Sequence, residues 1–305
     1  MVLLFNDNQK VKMQENMDTV TESESEITPL IFTRYLYPKE LVMHSLFLSI
    51  LDKKTDEALF WGYELYYSGF TDNVYDYLFQ IYETIYSSVN SDKLTTYLKQ
   101  LYGNQTESNL GIFILTLATK PYNINIFIEG YFNIKCSPTS IQKNNDKILK
   151  IKSFDVTPYK TTTLEISDEQ SRGYKILKTA CKYPIRTEYK ELFTPLHNEN
   201  GQSESPHDFL DCFRRCWEYY AFECPLWNQR ILQYGGKKCD KTKKVSFDTE
   251  TNAEDFYNKY DLEPDEQSLE IQYGIVGNPE VKQLSIKDFA KQYGGTIILK
   301  IKRQK

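Results

Sequence analysis

Between Leu30 and Tyr131, apolar side chains recur at three- and four-residue steps in successive stretches joined by only two to six residues. That spacing places them on one side of a helix, and a helix with an apolar side must cover it against a neighbour. The clearest case starts at Thr71-Asp72, where Val74, Tyr77, Leu78, Ile81, Tyr82, Ile85 and Val89 share a face. Before it, Pro38 stands at a favourable first helical position ahead of Leu41, Val42, Ser45, Leu46, Leu48, Ser49 and Ile50. Thr55-Asp56 then cap the run ALFWGYELYY, which stops at Ser68-Gly69. After it, Ser91-Asp92 lead Leu94, Tyr97, Leu98 and Leu101, and an apolar stretch runs from Asn109 to about Lys120 before Pro121. Residues 126–132 add a sixth candidate. Short connections predict antiparallel neighbours, hence a mainly α fold: a multi-helix bundle or a short helical-repeat-like stack.

The flanks read differently. Residues 1–28 carry six acidic residues against Lys10 and Lys12, a net of −4, and are expected to be a disordered acidic tail. An N-terminal helical domain is expected over 29–133. Residues 134–170 are rich in Ser, Thr, Asn, Lys and Pro and predict a linker or a minor β or irregular insertion, with a strand pair at 148–156 and 161–166. Residues 171–305 predict a second, mostly helical domain that either shares the first core or builds its own. Its strongest helix begins at Ser205-Pro206 and carries Phe209, Leu210, Phe213, Trp217 and Tyr220 on one face. Shorter helices are predicted at Pro225–Tyr234, 252–260, 264–273 and 285–293, the last opened by the capping pair Ser285 and Asp288.

The composition, 40% hydrophobic and 26% charged with a net charge of −5, fits a soluble globular chain without a global cationic field. No apolar run approaches the roughly 20 residues that cross a bilayer, so no membrane partner is expected. The first ten residues lack a basic n-region, so no secretory signal is expected, and six scattered cysteines then predict free thiols in an intracellular location. Only seven of 37 basic residues are Arg, and Lys, Asn, Ile and Tyr abound, a bias toward A/T-rich codons.

Candidate chemistry is sparse. Cys212 and Cys216 lie four residues apart on the predicted helix, with Cys224 and Cys239 downstream and His207 upstream, a loose set that a zinc ion would need in tetrahedral array. Structural zinc sites favour CxxC knuckles, absent here, and small buried cysteines are ordinary in helical cores. Three histidines, His44, His197 and His207, fall in no recognisable nucleophile context, and His44 reads as a satisfied core or interface histidine. Lys237, Lys238, Lys241, Lys243 and Lys244 against Asp240 form a +4 block that suits phosphates. Residues 248–270 follow with nine acids and one Lys, so local charge pairing is the preferred reading. Glu57 and Glu64, seven apart in the aromatic run, read as the wet stripe of a packed helix rather than an acid–base pair. No catalytic residue and no cofactor are expected.

Three strings carry a resemblance: Tyr37-Pro38-Lys39 leading to His44-Ser45-Leu46, EALFWGYELYYSGF over 57–70, and FYNKYDLEPDEQ over 256–267. Together they resemble uncharacterised proteins of giant nucleocytoplasmic DNA viruses of the mimivirus-like group. The resemblance implies a host-cytoplasm or virus-factory setting, with a place in the virion as a further option, and transfers no functional residue. The functional expectation is a non-enzymatic interaction or scaffold protein whose partner is another protein, viral or host. The alternatives are a nucleic-acid-associated factor using Lys237–Lys244, and a zinc-binding protein or divergent enzyme around Cys212–Cys239.

Overall fold

A computed structural model describes residues 29–138, 151, 153–160, 172–193 and 206–298, with side chains from 175 and from 209 in the helices that begin at 172 and 206. The acidic stretch 1–28 lies outside the described residues. The described chain is mainly helical, with fourteen α-helices and one two-stranded sheet.

Six helices form the first half: α1 (Lys39–Leu51), α2 (Thr55–Tyr67), α3 (Thr71–Ile81), α4 (Asp92–Tyr102), α5 (Glu107–Thr119) and α6 (Ile124–Phe132). Their positions follow the apolar spacing. Helix α4 buries Leu94, Leu98 and Leu101 and leaves its other side wet, whereas α1 buries nearly every residue and sits against α2, α3 and α5. Close approach of α2 and α5 depends on Gly62, where a Cβ would lie 2.2 Å from Ile114 Cδ1. Helix α3 widens into a π-helical turn at Tyr82–Tyr86. That turn leaves Ile85 O free to accept from Asn123 N at 2.7 Å, which seats the start of α6.

The second half comprises α7 (Arg172–Ala180), α8 (Lys190–Phe193), α9 (Pro206–Arg215), α10 (Trp217–Ala221), α11 (Pro225–Gln233), α12 (Glu250–Tyr260), α13 (Leu269–Val276) and α14 (Ile286–Gln292). It shares one continuous core with the first half, running from Phe32 to Tyr293. Phe193 of α8 meets Phe47, Phe127 and Phe289, while Trp217, Trp227, Phe256 and Tyr260 build an aromatic centre among α10–α12. The halves are also tied by Phe32 N to Tyr220 O at 3.1 Å and Trp227 Nε1 to Thr33 O at 3.2 Å.

Three expectations change. The helix expected through Tyr220 breaks at Cys216, whose φ is −141°, because Phe213 packs on Phe32 while Trp217 turns to Trp227. The strand pair expected at 148–156 and 161–166 is absent where it can be read: residues 151 and 153–156 are not strand, and the rest lies outside the described residues. The sheet instead falls in the basic stretch, where β1 (Lys237–Cys239) pairs antiparallel with β2 (Lys244–Ser246). Third, the helix expected from residue 264 starts only at α13, capped by Ser268.

Candidate functional site

The five candidate lysines lie on the β1–β2 hairpin, which folds back onto Tyr219 of α10. Lys238 and Lys243 both sit over the Tyr219 ring at 4.7 and 4.9 Å, and Tyr219 Oη donates to Asp240 at 2.8 Å. Lys238 also pairs with Glu223 at 2.6 Å, and Lys237 with Asp248 at 2.5 Å. Lys241 and Lys244 are exposed. Two of the five lysines thus have carboxylate partners, one of them, Asp248, in the acidic stretch that follows.

The four cysteines are drawn to separate tasks. Cys224 caps α11 and donates its thiol to Ser68 O at 3.2 Å, and burial pushes its pKa up to about 12. Cys216 occupies the break between α9 and α10, and burial raises its thiol as well. Cys239 lies on β1, where hydrogen bonds from Thr242 hold its pKa below the ordinary thiol value. Cys212 is half-buried on α9. Among the described residues, no group of three or more His, Cys, Asp and Glu side chains is arranged to hold a metal ion. His207 and His197 lie outside the described side chains. His44 is not the satisfied histidine expected: its ring stacks on Phe193 at 5.0 Å, and Nδ1 is buried with no hydrogen-bond partner among the described residues.

The largest departure concerns Glu57 and Glu64, which are not a wet stripe. Glu64 is fully buried on α2, and its Oε1 accepts from Thr33 Oγ1 at 2.6 Å and Tyr35 N at 3.1 Å. Its Oε2 pairs with Arg34 Nε at 2.8 Å, the guanidinium being 4% exposed. Glu57 binds a second guanidinium, Arg186, at 3.3 Å, and Asp52 reaches the same group at 2.5 Å. Gln292 and Tyr189 extend this network from α14 and from the chain before α8. A buried charge is costly unless paired and hydrogen-bonded. The two carboxylates therefore act as junctions that draw in chain from 30 and about 130 residues away. Sequence spacing held one signal: two acids embedded in an otherwise aromatic helix with no polar face around them.

Around Arg34 a further arrangement forms that the sequence did not suggest. Residues 153–160 lie as a strap across α2 and α5. Phe154 N donates to Ser108 Oγ at 2.9 Å, and Lys160 pairs with Glu107 at 2.7 Å. The rings of Phe154 and Tyr159 stack with Tyr63 at 6.1 and 4.6 Å, and Tyr67 stacks on the same Tyr63 at 5.7 Å. Gly111 of α5 makes room: a Cβ there would lie 2.3 Å from Phe154 Cδ1 and 2.6 Å from Tyr63 Oη. Glycine inside a helix costs about 1 kcal/mol relative to alanine, so its placement here trades helix propensity for the seat. Arg34 Nη2 donates to Tyr159 O at 3.2 Å, while its Nη1 and Tyr67 Oη are buried without partners among the described residues. Burial pushes the phenols of Tyr63 and Tyr67 well above their ordinary values, so both stay neutral hydrogen-bonding groups. Chemically, the site stacks rings, donates from a guanidinium and holds an extended segment by its backbone. Comparison with family models, with curated proteins and with solved structures gives no match.

Proposed function

We propose that this chain is a non-enzymatic interaction or scaffold protein, with the giant-virus setting and host-cytoplasm or virus-factory location that its sequence resemblance implies. One observation supports the reading best: a helical body already grips an extended segment, residues 153–160, through ring stacking, backbone hydrogen bonds and one guanidinium. Helical stacks with aromatic faces commonly hold other chains in this manner, an analogy at the level of fold. The conspicuous buried charges, Arg34 with Glu64 and Arg186 with Asp52 and Glu57, are spent on cohesion. The test is affinity capture with the immobilised full chain at physiological salt, followed by rebinding of the purified partner. A defined protein that rebinds at fixed stoichiometry supports the proposal; a chain that stays an isolated monomer against host and viral extracts overturns it.

The nucleic-acid reading keeps one observation in its favour, the exposed Lys241 and Lys244 at the end of the hairpin. It requires salt-sensitive retention on DNA or RNA that falls when both become Glu. Unchanged low-salt retention in the double variant removes it.

A further inference from the structure

The strap is a poor match to its own seat, and the mismatch has a direction. Along 153–160 only Phe154, Val156 and Tyr159 turn inward, while Ser153, Asp155, Thr157, Pro158 and Lys160 are exposed. Its one ion pair is half in water at the Lys160 end, where such pairs contribute little. Yet at this seat two polar atoms, Arg34 Nη1 and Tyr67 Oη, are buried with no hydrogen-bond partner among the described residues, and the guanidinium lies 5.0 Å over the Tyr67 ring. Unpaired buried donors cost more than a paired group contributes, so the seat is better suited to something other than a plain peptide carbonyl at this point. The acids Glu107, near Tyr67, and Asp56, near Tyr159, also face this seat, so the case for a second acceptor rests on the free edge of the Arg34 guanidinium and not on a net positive charge.

We infer that the α2–α5 face under the strap is a recognition groove for the carboxyl-terminal segment of a partner protein, ending in Tyr or Phe with a second aromatic residue five positions earlier. A chain that ends where Tyr159 sits replaces the single carbonyl at Arg34 Nη2 with a terminal carboxylate. Its second oxygen then serves Nη1 on the same guanidinium edge, a bidentate pairing that a mid-chain carbonyl cannot make. The strap is the resident occupant, supplying the spacing Phe154-x-x-x-x-Tyr159 and yielding to a ligand that makes the extra bonds. This rests on the interaction reading above and names its surface.

The experiment uses the full chain and two labelled peptides of sequence SFDVTPY, one with a free carboxyl terminus and one amidated, read by fluorescence anisotropy. The strap is loosened in the double variant Phe154→Ala/Tyr159→Ala, with circular dichroism confirming an intact helical body. The variant is expected to bind the free acid at least about tenfold more tightly than the amide, the scale of one charge-assisted hydrogen bond, and more tightly than the unaltered chain does. Equal affinity for the two peptides overturns the carboxylate assignment. No binding by a folded variant overturns the groove itself. A captured partner whose affinity ignores both the strap variant and competing free-acid peptide would leave the interaction reading standing and remove this one.

Discussion

Replacing Glu64 by Gln probes the junction on which the first half of the fold is hung. The side chains have the same shape, so packing is preserved while charge and one acceptor are lost. In the native chain three donors converge on the carboxylate: Thr33 Oγ1 at 2.6 Å, Arg34 Nε at 2.8 Å and Tyr35 N at 3.1 Å. A glutamine keeps an acceptor for the two donors at Oε1, but its amide nitrogen then faces the Nε–H of Arg34, donor against donor. Arg34 stays buried without its counter-ion, and removing one partner of a buried pair costs about 3–5 kcal/mol. Against a total stability of roughly 5–15 kcal/mol this is a large share. The shift is about 2–4 °C per kcal/mol for 150–250 residues and toward the lower end for this 305-residue chain, so melting should fall by roughly 6–10 °C. Differential scanning calorimetry with urea denaturation measures both. The double variant Arg34→Met/Glu64→Gln removes both charges while the amide oxygen still accepts from Thr33 Oγ1 and Tyr35 N, and should recover much of the loss, giving a strong coupling in the cycle. A Glu64→Gln penalty below about 1 kcal/mol, or additive single effects, would refute the junction as described.

Other outcomes follow from individual contacts. Burial, with Lys190 nearby, lowers the His44 pKa from 6.5 to about 4, so the folded state holds the ring neutral where the unfolded chain protonates it. Stability from this group is complete above pH 6.5 and drains away toward pH 4, by roughly 3 kcal/mol at the acid end. The urea midpoint of the native chain should therefore fall relative to that of His44→Leu as pH drops through that window; parallel curves would contradict it. Gly62→Ala places a methyl 2.2 Å from Ile114 Cδ1 and should cost about 1–3 kcal/mol by thermal melting, relieved by adding Ile114→Ala. In native chain at pH 8, a disulfide reagent should label Cys239, whose thiol is lowered by Thr242, well before Cys224, which is buried and raised to about 12. Labelling in the reverse order, followed by peptide mapping, would count against the hairpin geometry.

What could be read in the sequence was what repeats locally. Leu94, Leu98 and Leu101 announce α4, and Ser285 with Asp288 announces the capping box of α14, because helix spacing and caps involve residues three or four apart. Long-range pairing was not legible. Nothing around Glu64 in sequence points to Arg34, 30 positions earlier, and a carboxylate in an aromatic helix reads as a solvated one until its partner is placed. Cys216 shows the same limit: the apolar spacing of Phe213 and Trp217 is helical, yet the two rings serve different centres and the helix breaks between them. The basic stretch did not announce its strands, which are only three residues each and carry too short an alternation to register. The strap was hidden in a polar segment with few rings. Gly111, inside an otherwise apolar helix, was the one mark that something approaches α5 closely.

Hydrogen exchange on the native chain tests most directly whether the strap is a separable occupant of its seat. One neutral hydrogen bond at about 1 kcal/mol, one donated by the Arg34 guanidinium at about 1.5–3 kcal/mol, a half-exposed ion pair below 1 kcal/mol and partly covered rings hold it, so it should open for less than the whole fold. The amide of Phe154 should exchange orders of magnitude faster than those of Leu59–Glu64 in α2, which open only with the whole fold. Equal protection for strap and helix would mean that residues 153–160 are as integral to the core as α2 itself, and the recognition face described above would have no vacancy to offer.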